Sequence, residues 1–267
     1  MQLPDIDAII SPDYKTRPFL NGTGSRRRSY SPLDKHSPTP DGRGKWLATD
    51  EPEMITEVTR SGFRTALWVE MLIRVGHTYD DIARIQAGVT EPRYIVHALN
   101  RNNIGQIIDI VMDTKQKKGA YICGNTGRGK TFIMDCITAV IDKYVSIGVS
   151  NVRPIHKVSH YDIYLAIEKS QSLAVIDKEI SGHKDIYLDD YSYKGDPYVH
   201  IYGKQHNLNE IIIERCHYLY ERGRRIWMTS NFSLDDISRS GCYPASMSRL
   251  RGMVTEMLWH GDHDFRL

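Results

Sequence analysis

Over 267 residues, 35 Lys and Arg stand against 33 Asp and Glu, a formal net charge of +2, with 40% hydrophobic and 25% charged content. This composition suits a globular chain with a sizeable core and excludes a polycation held to nucleic acid by bulk charge, so any such surface must be local. No run approaches the roughly 18 to 20 apolar residues of a membrane span; no apolar signal core is present, and Cys123, Cys136, Cys216 and Cys242 lack the paired spacing of a zinc or disulfide framework, so the expectation is a reduced, cytoplasmic protein without a membrane partner.

Residues 1 to about 50 hold six of the eleven prolines, with Gly22, Gly24, Gly42, Gly44 and the triplet Arg26, Arg27 and Arg28, and show little periodic hydrophobicity. This is the composition of a disordered or weakly ordered arm, either a passive tail or a partner- or phosphate-binding segment. From 51 to 118 a helical accessory region is expected: Phe63, Ala66, Leu67 and Met71 recur at spacings of three and four, followed by Ile82 and Ile85, then Tyr94, Ile95, Ala98 and Leu99. Thr78 and Asp81 have the spacing of a capping-box variant, and Pro92 suits a first helical turn. The run Tyr79 to Asn100 has a helix-turn-helix flavour with arms about one residue too long, against which stands a plain helical bundle. Basic clusters occur at Lys115, Lys117 and Lys118 and at Arg222, Arg224 and Arg225; taken alone, each is more often a solvated face than a binding site.

From 119 to 267 the texture is that of an α/β domain. Short apolar strands are expected at Ala120 to Cys123, Arg153 to Val158, Ile186 to Asp189, Ile226 to Thr229 and Val254 to Leu258, with helical stretches between them. The segment Gly124, Asn125, Thr126, Gly127, Arg128, Gly129, Lys130, Thr131 has the Walker A spacing. It follows a strand and opens a helical run at Phe132, the context in which glycines aim N–H groups at phosphate oxygens and a helix N-terminus adds favourable field. Lys130 would then bridge the β and γ phosphates of ATP, and Thr131 would place a hydroxyl beside Mg²⁺.

An acidic partner is needed at the end of a neighbouring strand, and Ile186 to Asp190 supplies it. Asp189 is the candidate for holding the water shell of Mg²⁺ and Asp190 for orienting the attacking water. Asn231 ends the next strand, where an amide that both donates and accepts can position a water and sense phosphate.

With these motifs in place, residues 119 to 267 resemble the DnaC-type helicase loaders and IstB-type transposition ATPases of the AAA+ class. The resemblance lies in GNTGRGKT (124 to 131), YLDDYS (187 to 192), EIIIERCHYLYERG (210 to 223), MTSNFSLDDI (228 to 237), SRLRGMV (248 to 254) and GDHDFR (261 to 266). It implies a P-loop NTPase fold of the AAA+ type: a parallel five-strand sheet flanked by helices, with the phosphate loop on the central strand; the small helical N-terminal region is read from periodicity alone, for the residues before 119 do not match the family. It also implies ATP hydrolysis, nucleotide-dependent self-assembly, contact with DNA, single-stranded foremost, and service to a replicative helicase or a transposase. On the same grounds Asn231 falls on the family's sensor asparagine, Arg249 on its arginine finger with Arg251 close enough to compete, and Arg266 on a terminal arginine. Arg128 departs from the pattern as a long cation where a small residue is usual, and Asp190 stands where many relatives have Glu. The leading expectation is an ATP hydrolase that loads or recruits a replicative helicase. Beside it stand a transposition helper and a nucleotide-gated DNA-binding scaffold with negligible hydrolysis; a small-molecule kinase would leave the TSN segment and Arg249 without explanation.

Overall fold

The structure, a computed structural model, describes residues 56–90, 98–182, 184–192 and 198–261. The N-terminal arm, Pro92 with most of the second expected helix-turn-helix arm, and Arg266 lie outside these residues. The first helix, α1 (Arg60–Arg74), starts where the Thr59 hydroxyl accepts the Gly62 N–H at 3.0 Å. Its residues Phe63, Leu67 and Met71, one turn apart, form a buried stripe. Next, α2 (Tyr79–Gln86) opens on the expected Thr78–Asp81 capping box, with both reciprocal bonds present, and buries Ile82 against Val69 and Leu72. The third helix, α3 (Ala98–Met112), buries Ile107, Ile108 and Val111.

All five expected strands form, each within two residues of its sequence bounds: β1 (Gly119–Cys123), β2 (Ile155–Ser159), β3 (Asp185–Tyr191), β6 (Ile226–Ser230) and β7 (Val254–Leu258). They make one parallel sheet in the order β2-β3-β6-β1-β7. The strand that carries the phosphate loop is therefore interior but not central, because only β7 is added beyond it and β6 takes the middle place. A second element was not anticipated: an antiparallel hairpin of β4 (Tyr198–Ile201) and β5 (Lys204–Asn207), turning at Tyr202 and Gly203 with φ of 48° and 77°.

Helix α4 (Lys130–Ser146) joins β1 to β2; α5 (His160–Ser170) and α6 (Ala174–Glu179) join β2 to β3. The hairpin and α7 (Leu208–Glu221) lead to β6, and α8 (Leu234–Arg239) and α9 (Pro244–Met253) lead to β7. Along the sheet, the step from β1 to β2 runs one way and every later step runs the other. Right-handed crossovers therefore require α4 on one face and α5, α6, α7 and α9 on the opposite face. The core divides accordingly. Ala120, Ile122, Tyr187 and Trp227 pack with α1, α3 and α4, whereas Tyr121, Ile186, Leu188 and Met228 pack with α5, α6, α7 and α9. This is the period-two alternation of strands buried on both sides. Because the connections after β1 and β6 leave on opposite faces, a crevice opens between those neighbours at their carboxyl ends, where open α/β sheets bind ligands.

Arg225 changes the reading of the Arg222–Arg225 cluster as a solvated face, for its side chain is 1% exposed. Its Nε donates to Asp185 Oδ2 at 2.7 Å and its Nη1 donates to the carbonyl of Ile110 near the end of α3. A guanidinium with several fixed donors satisfies the buried carboxylate and a helix-end carbonyl together. Removing one member of such a buried pair typically costs about 3–5 kcal/mol. Arg225 thus fastens the N-terminal helices to the sheet.

Candidate functional site: a phosphate loop and its acidic partner

The loop between β1 and α4 is shaped by what surrounds it. At Gly124 a Cβ would lie 2.5 Å from the Trp259 carbonyl oxygen, so only glycine allows the segment after β7 to run this close. Gly129 has a φ of 82° and is the N-cap of α4 without a side-chain capping bond. The N-cap residue therefore brings no side-chain acceptor of its own to the first turn of α4, and a helix N-terminus of this kind favours phosphate. The loop is also held from behind: Trp259 Nε1 donates to the Arg128 carbonyl at 2.6 Å, and the Arg128 side chain lies against Gly261. Asn125 and Thr126 are exposed, while Phe132 packs against the core.

Lys130 is 5% exposed, and its Nζ donates to the Gly124 and Asn125 carbonyls at 2.8 and 2.9 Å and to Asn231 Oδ1 at 2.9 Å. Asn231 follows the last residue of β6, so this contact spans the crevice between β1 and β6. Thr131, one residue on, donates its hydroxyl to Asp189 Oδ1 at 2.8 Å. The same oxygen accepts the hydroxyls of Tyr187 at 2.8 Å and Thr229 at 2.7 Å. Burial alone would raise the Asp189 carboxyl, but the Thr229 and Tyr187 hydroxyls and the Lys157 ammonium outweigh it and hold the pKa below the ordinary carboxylate value.

Asp190 sits at an irregularity. The β3–β6 ladder runs in register to Leu188–Met228 and resumes at Tyr191–Ser230, so two residues of β3 face one of β6. At this bulge Asp190 has a φ of 50° and its N–H donates to Thr229 Oγ1 at 3.1 Å. Bulges re-aim side chains next to active sites, and here one separates the two adjacent carboxylates from simple strand alternation. Ser192, with φ 60°, continues the irregular backbone. Its N–H donates to His160 Nδ1 at 3.1 Å, and its hydroxyl accepts Asn209 Nδ2 at 3.0 Å.

The structure thus brings together Lys130, Thr131, Asp189 and Asn231 and places Asp190 beside them. Arg249 is elsewhere, on α9, where its Nη1 pairs with Glu214 of α7; Arg251 pairs with Asp235 at 2.7 Å. Lys115 and Lys117 are exposed on the connection before β1, and Lys118 donates to the Arg251 carbonyl at 3.2 Å. Sequence reasoning missed Lys157, Tyr187 and Thr229, all on strands where a polar residue among apolar ones was the available signal.

Among the described residues no group of three or more His, Cys, Asp or Glu is arranged to hold a metal ion. A divalent ion at this site would draw on Thr131 and Asp189, with water and phosphate oxygens completing its shell, which is how Mg²⁺ is commonly held beside phosphates.

Strand order, the loop after β1 and the acidic end of β3 are those of a parallel α/β sheet that carries a Walker A-type phosphate loop beside an acidic strand end. Among solved structures the chain is similar to DnaI, at 18% identity and TM-score 0.48 over 65% of this chain and 87% of that one. It is also similar to the DnaC helicase loader, at 15% identity and TM-score 0.44 over 62% and 94%. A third is AMPPCP-bound DnaA from Aquifex aeolicus, at 16% identity and TM-score 0.46 over 65% of this chain and half of that one. No protein-family profile and no curated protein matches the chain.

Proposed function

We propose that the protein binds ATP with Mg²⁺ at the β1–α4 loop, hydrolyses it as a nucleotide-dependent homo-oligomer, and acts on DNA as a loader or recruiter of a replicative helicase. The observation that carries the reading is the convergence of Lys130, Thr131, Asp189 and Asn231 from three strand ends on one crevice. In this reading the loop N–H groups and Lys130 hold the phosphates, Thr131 and Asp189 hold the ion's shell, and Asp190 and Asn231 orient the attacking water. The accessory helices, tied to the sheet through Arg225, carry Lys115 and Lys117 at their junction with β1 as the first candidate DNA contacts.

The test is fluorescence anisotropy of labelled single-stranded DNA with and without ATP and Mg²⁺, across a salt series. ATP should strengthen binding, and log affinity should fall linearly with log salt in proportion to the phosphates contacted. Lys115→Ala with Lys117→Ala should flatten that slope. Absence of DNA binding at low salt in every nucleotide state would refute the DNA-acting part of the proposal. Affinity capture compared between wild type and Lys130→Ala then distinguishes a helicase from a transposase as the partner.

A further inference from the structure

One charged group beside the loop pairs with carboxylates from two other elements. Lys157 projects from β2, and its Nζ lies 3.0 Å from Asp189 Oδ2 on β3 and 2.7 Å from Asp135 Oδ1 on α4. The ammonium also stands 5.4 Å from the centre of the Tyr187 ring. In the β2–β3 register Lys157 is opposite Tyr187 and Ser159 is opposite Asp189, so the long lysine stem reaches along the strand to the carboxylate. Asp135 follows Thr131 by four residues, which places both on the same face of α4. Three elements therefore converge on one cation.

The two oxygens of Asp189 are used differently. Oδ1 accepts the hydroxyls of Thr131, Tyr187 and Thr229, and Oδ2 faces Lys157. The carboxylate is 13% exposed and the lysine 36%, so the ammonium lies on the solvent side of the buried acid. Without that charge, Asp135 and Asp189 would be neighbouring carboxylates beside the Thr131 hydroxyl, a set of hard oxygen donors suited to a small divalent ion. With it, one positive charge is shared between them.

We propose that Lys157 is a positioning residue that sets the divalent-ion dependence of nucleotide binding: it keeps Asp189 and Asp135 compensated, so that the ion enters with the nucleotide's phosphates and does not collect on the nucleotide-free protein. This inference rests on the loop's binding of ATP and Mg²⁺ proposed above. It gives β2 a part in the site and explains why a lysine reaches back to the acidic strand end although Lys130 already faces the loop.

The test has two readouts besides turnover. Mn²⁺ binding to the nucleotide-free protein is followed by electron paramagnetic resonance, and binding of a fluorescent ATP analogue is measured across a Mg²⁺ series. Lys157→Gln should acquire a saturable Mn²⁺ site at least about tenfold tighter than any in wild type, the scale a unit charge a few ångströms away can contribute in a partly solvated site. Its Mg²⁺ midpoint for nucleotide binding should fall, and Lys157→Arg should behave as wild type. Adding Asp189→Asn to Lys157→Gln should abolish the acquired site. Lys157→Met, which keeps the apolar stem, serves if Lys157→Gln is poorly folded. Normal nucleotide binding with an unchanged Mg²⁺ midpoint and no new Mn²⁺ site would overturn the role of Lys157 alone. No nucleotide binding by wild type at any Mg²⁺ concentration would overturn the reading of the loop, and this inference with it.

Discussion

Lys130 Nζ donates to Asn231 Oδ1 across 2.9 Å, a side-chain hydrogen bond that joins the phosphate loop to the tip of β6. The same ammonium holds the Gly124 and Asn125 carbonyls, so it shapes the loop as well as supplying its charge. Two effects should therefore separate. Lys130→Ala should lower affinity for ATP at least about tenfold, since a positive charge beside the phosphates is lost. Asn231→Ala should leave affinity within a few-fold and lower the hydrolysis rate. Equilibrium binding of a fluorescent ATP analogue and steady-state ATPase rates measure both, with circular dichroism confirming the fold. A folded Lys130→Ala protein with wild-type affinity would show that the loop does not bind ATP through this lysine.

Asp190 and Asp189 are adjacent in sequence but occupy different environments, so their substitutions should not resemble each other. Asp189 is held by three hydroxyls and an ammonium, whereas Asp190 lies on the bulge with its backbone bonded to Thr229. Asp190→Asn should keep ATP affinity and lose about 10²-fold or more in turnover, because an amide is a poor acceptor for the attacking water's proton. Asp189→Asn should shift the Mg²⁺ requirement instead. Turnover by Asp190→Asn at the wild-type rate would remove Asp190 from the reaction.

Much of this arrangement was legible in the sequence because local rules and global fold agree. Apolar runs bounded by polar residues located all five sheet strands, the Thr78–Asp81 spacing marked a real capping box, and the glycine pattern after β1 located the loop. What escaped depends on contacts distant in sequence. The hairpin pairs Val199 and Ile201, which face inward, with His206 and Lys204, so only one of its strands carries an apolar alternation. Arg225 looked like part of a basic surface patch because its partners Asp185 and Ile110 lie 40 and 115 residues away. Lys157 could not be linked to Asp189 before the β2–β3 pairing was known. The bulge that turns Asp190 is a property of two strands together, absent from either alone.

His160 makes stability depend on pH. The ring is 2% exposed, packs edge-on against Tyr191 at 5.6 Å between centroids, and accepts the Ser192 N–H on Nδ1. Burial lowers its pKa to about 4. In the unfolded chain a histidine titrates near 6.5, so between those values the unfolded state takes up a proton that the folded state refuses. The stability is thus complete above about pH 6.5 and declines as the pH falls toward 4, by at most about 3 kcal/mol from this group. Urea unfolding at pH 7.5 and 4.5 measures the loss, and His160→Asn should reduce the difference between the two. An equal pH dependence in the variant would assign the effect to other groups.

Arg249 tests whether the site is complete within one subunit. In the proposed reading it is an arginine finger directed at a neighbour's nucleotide, while within the subunit its guanidinium pairs with Glu214 on α7. Both side chains are close to half exposed, 42% and 48%. A pair so open to solvent typically contributes about 0–1 kcal/mol, so assembly could exchange it for phosphate at little cost. A guanidinium delivered to the transferring phosphoryl group accelerates P-loop NTPases that use one by roughly 10³ to 10⁵. Arg249→Ala should accordingly bind ATP normally and hydrolyse it poorly, and Glu214→Gln should hydrolyse at least as well as wild type. Mixing provides the decisive arm: Lys130→Ala subunits carry an intact Arg249 beside a disabled pocket, so adding them to Arg249→Ala subunits should restore part of the activity. Wild-type specific activity should also rise with protein concentration, because hydrolysis then needs two subunits. If it stays constant on dilution and mixing restores nothing, each subunit completes its own site and Arg249 has only its surface pairing with Glu214.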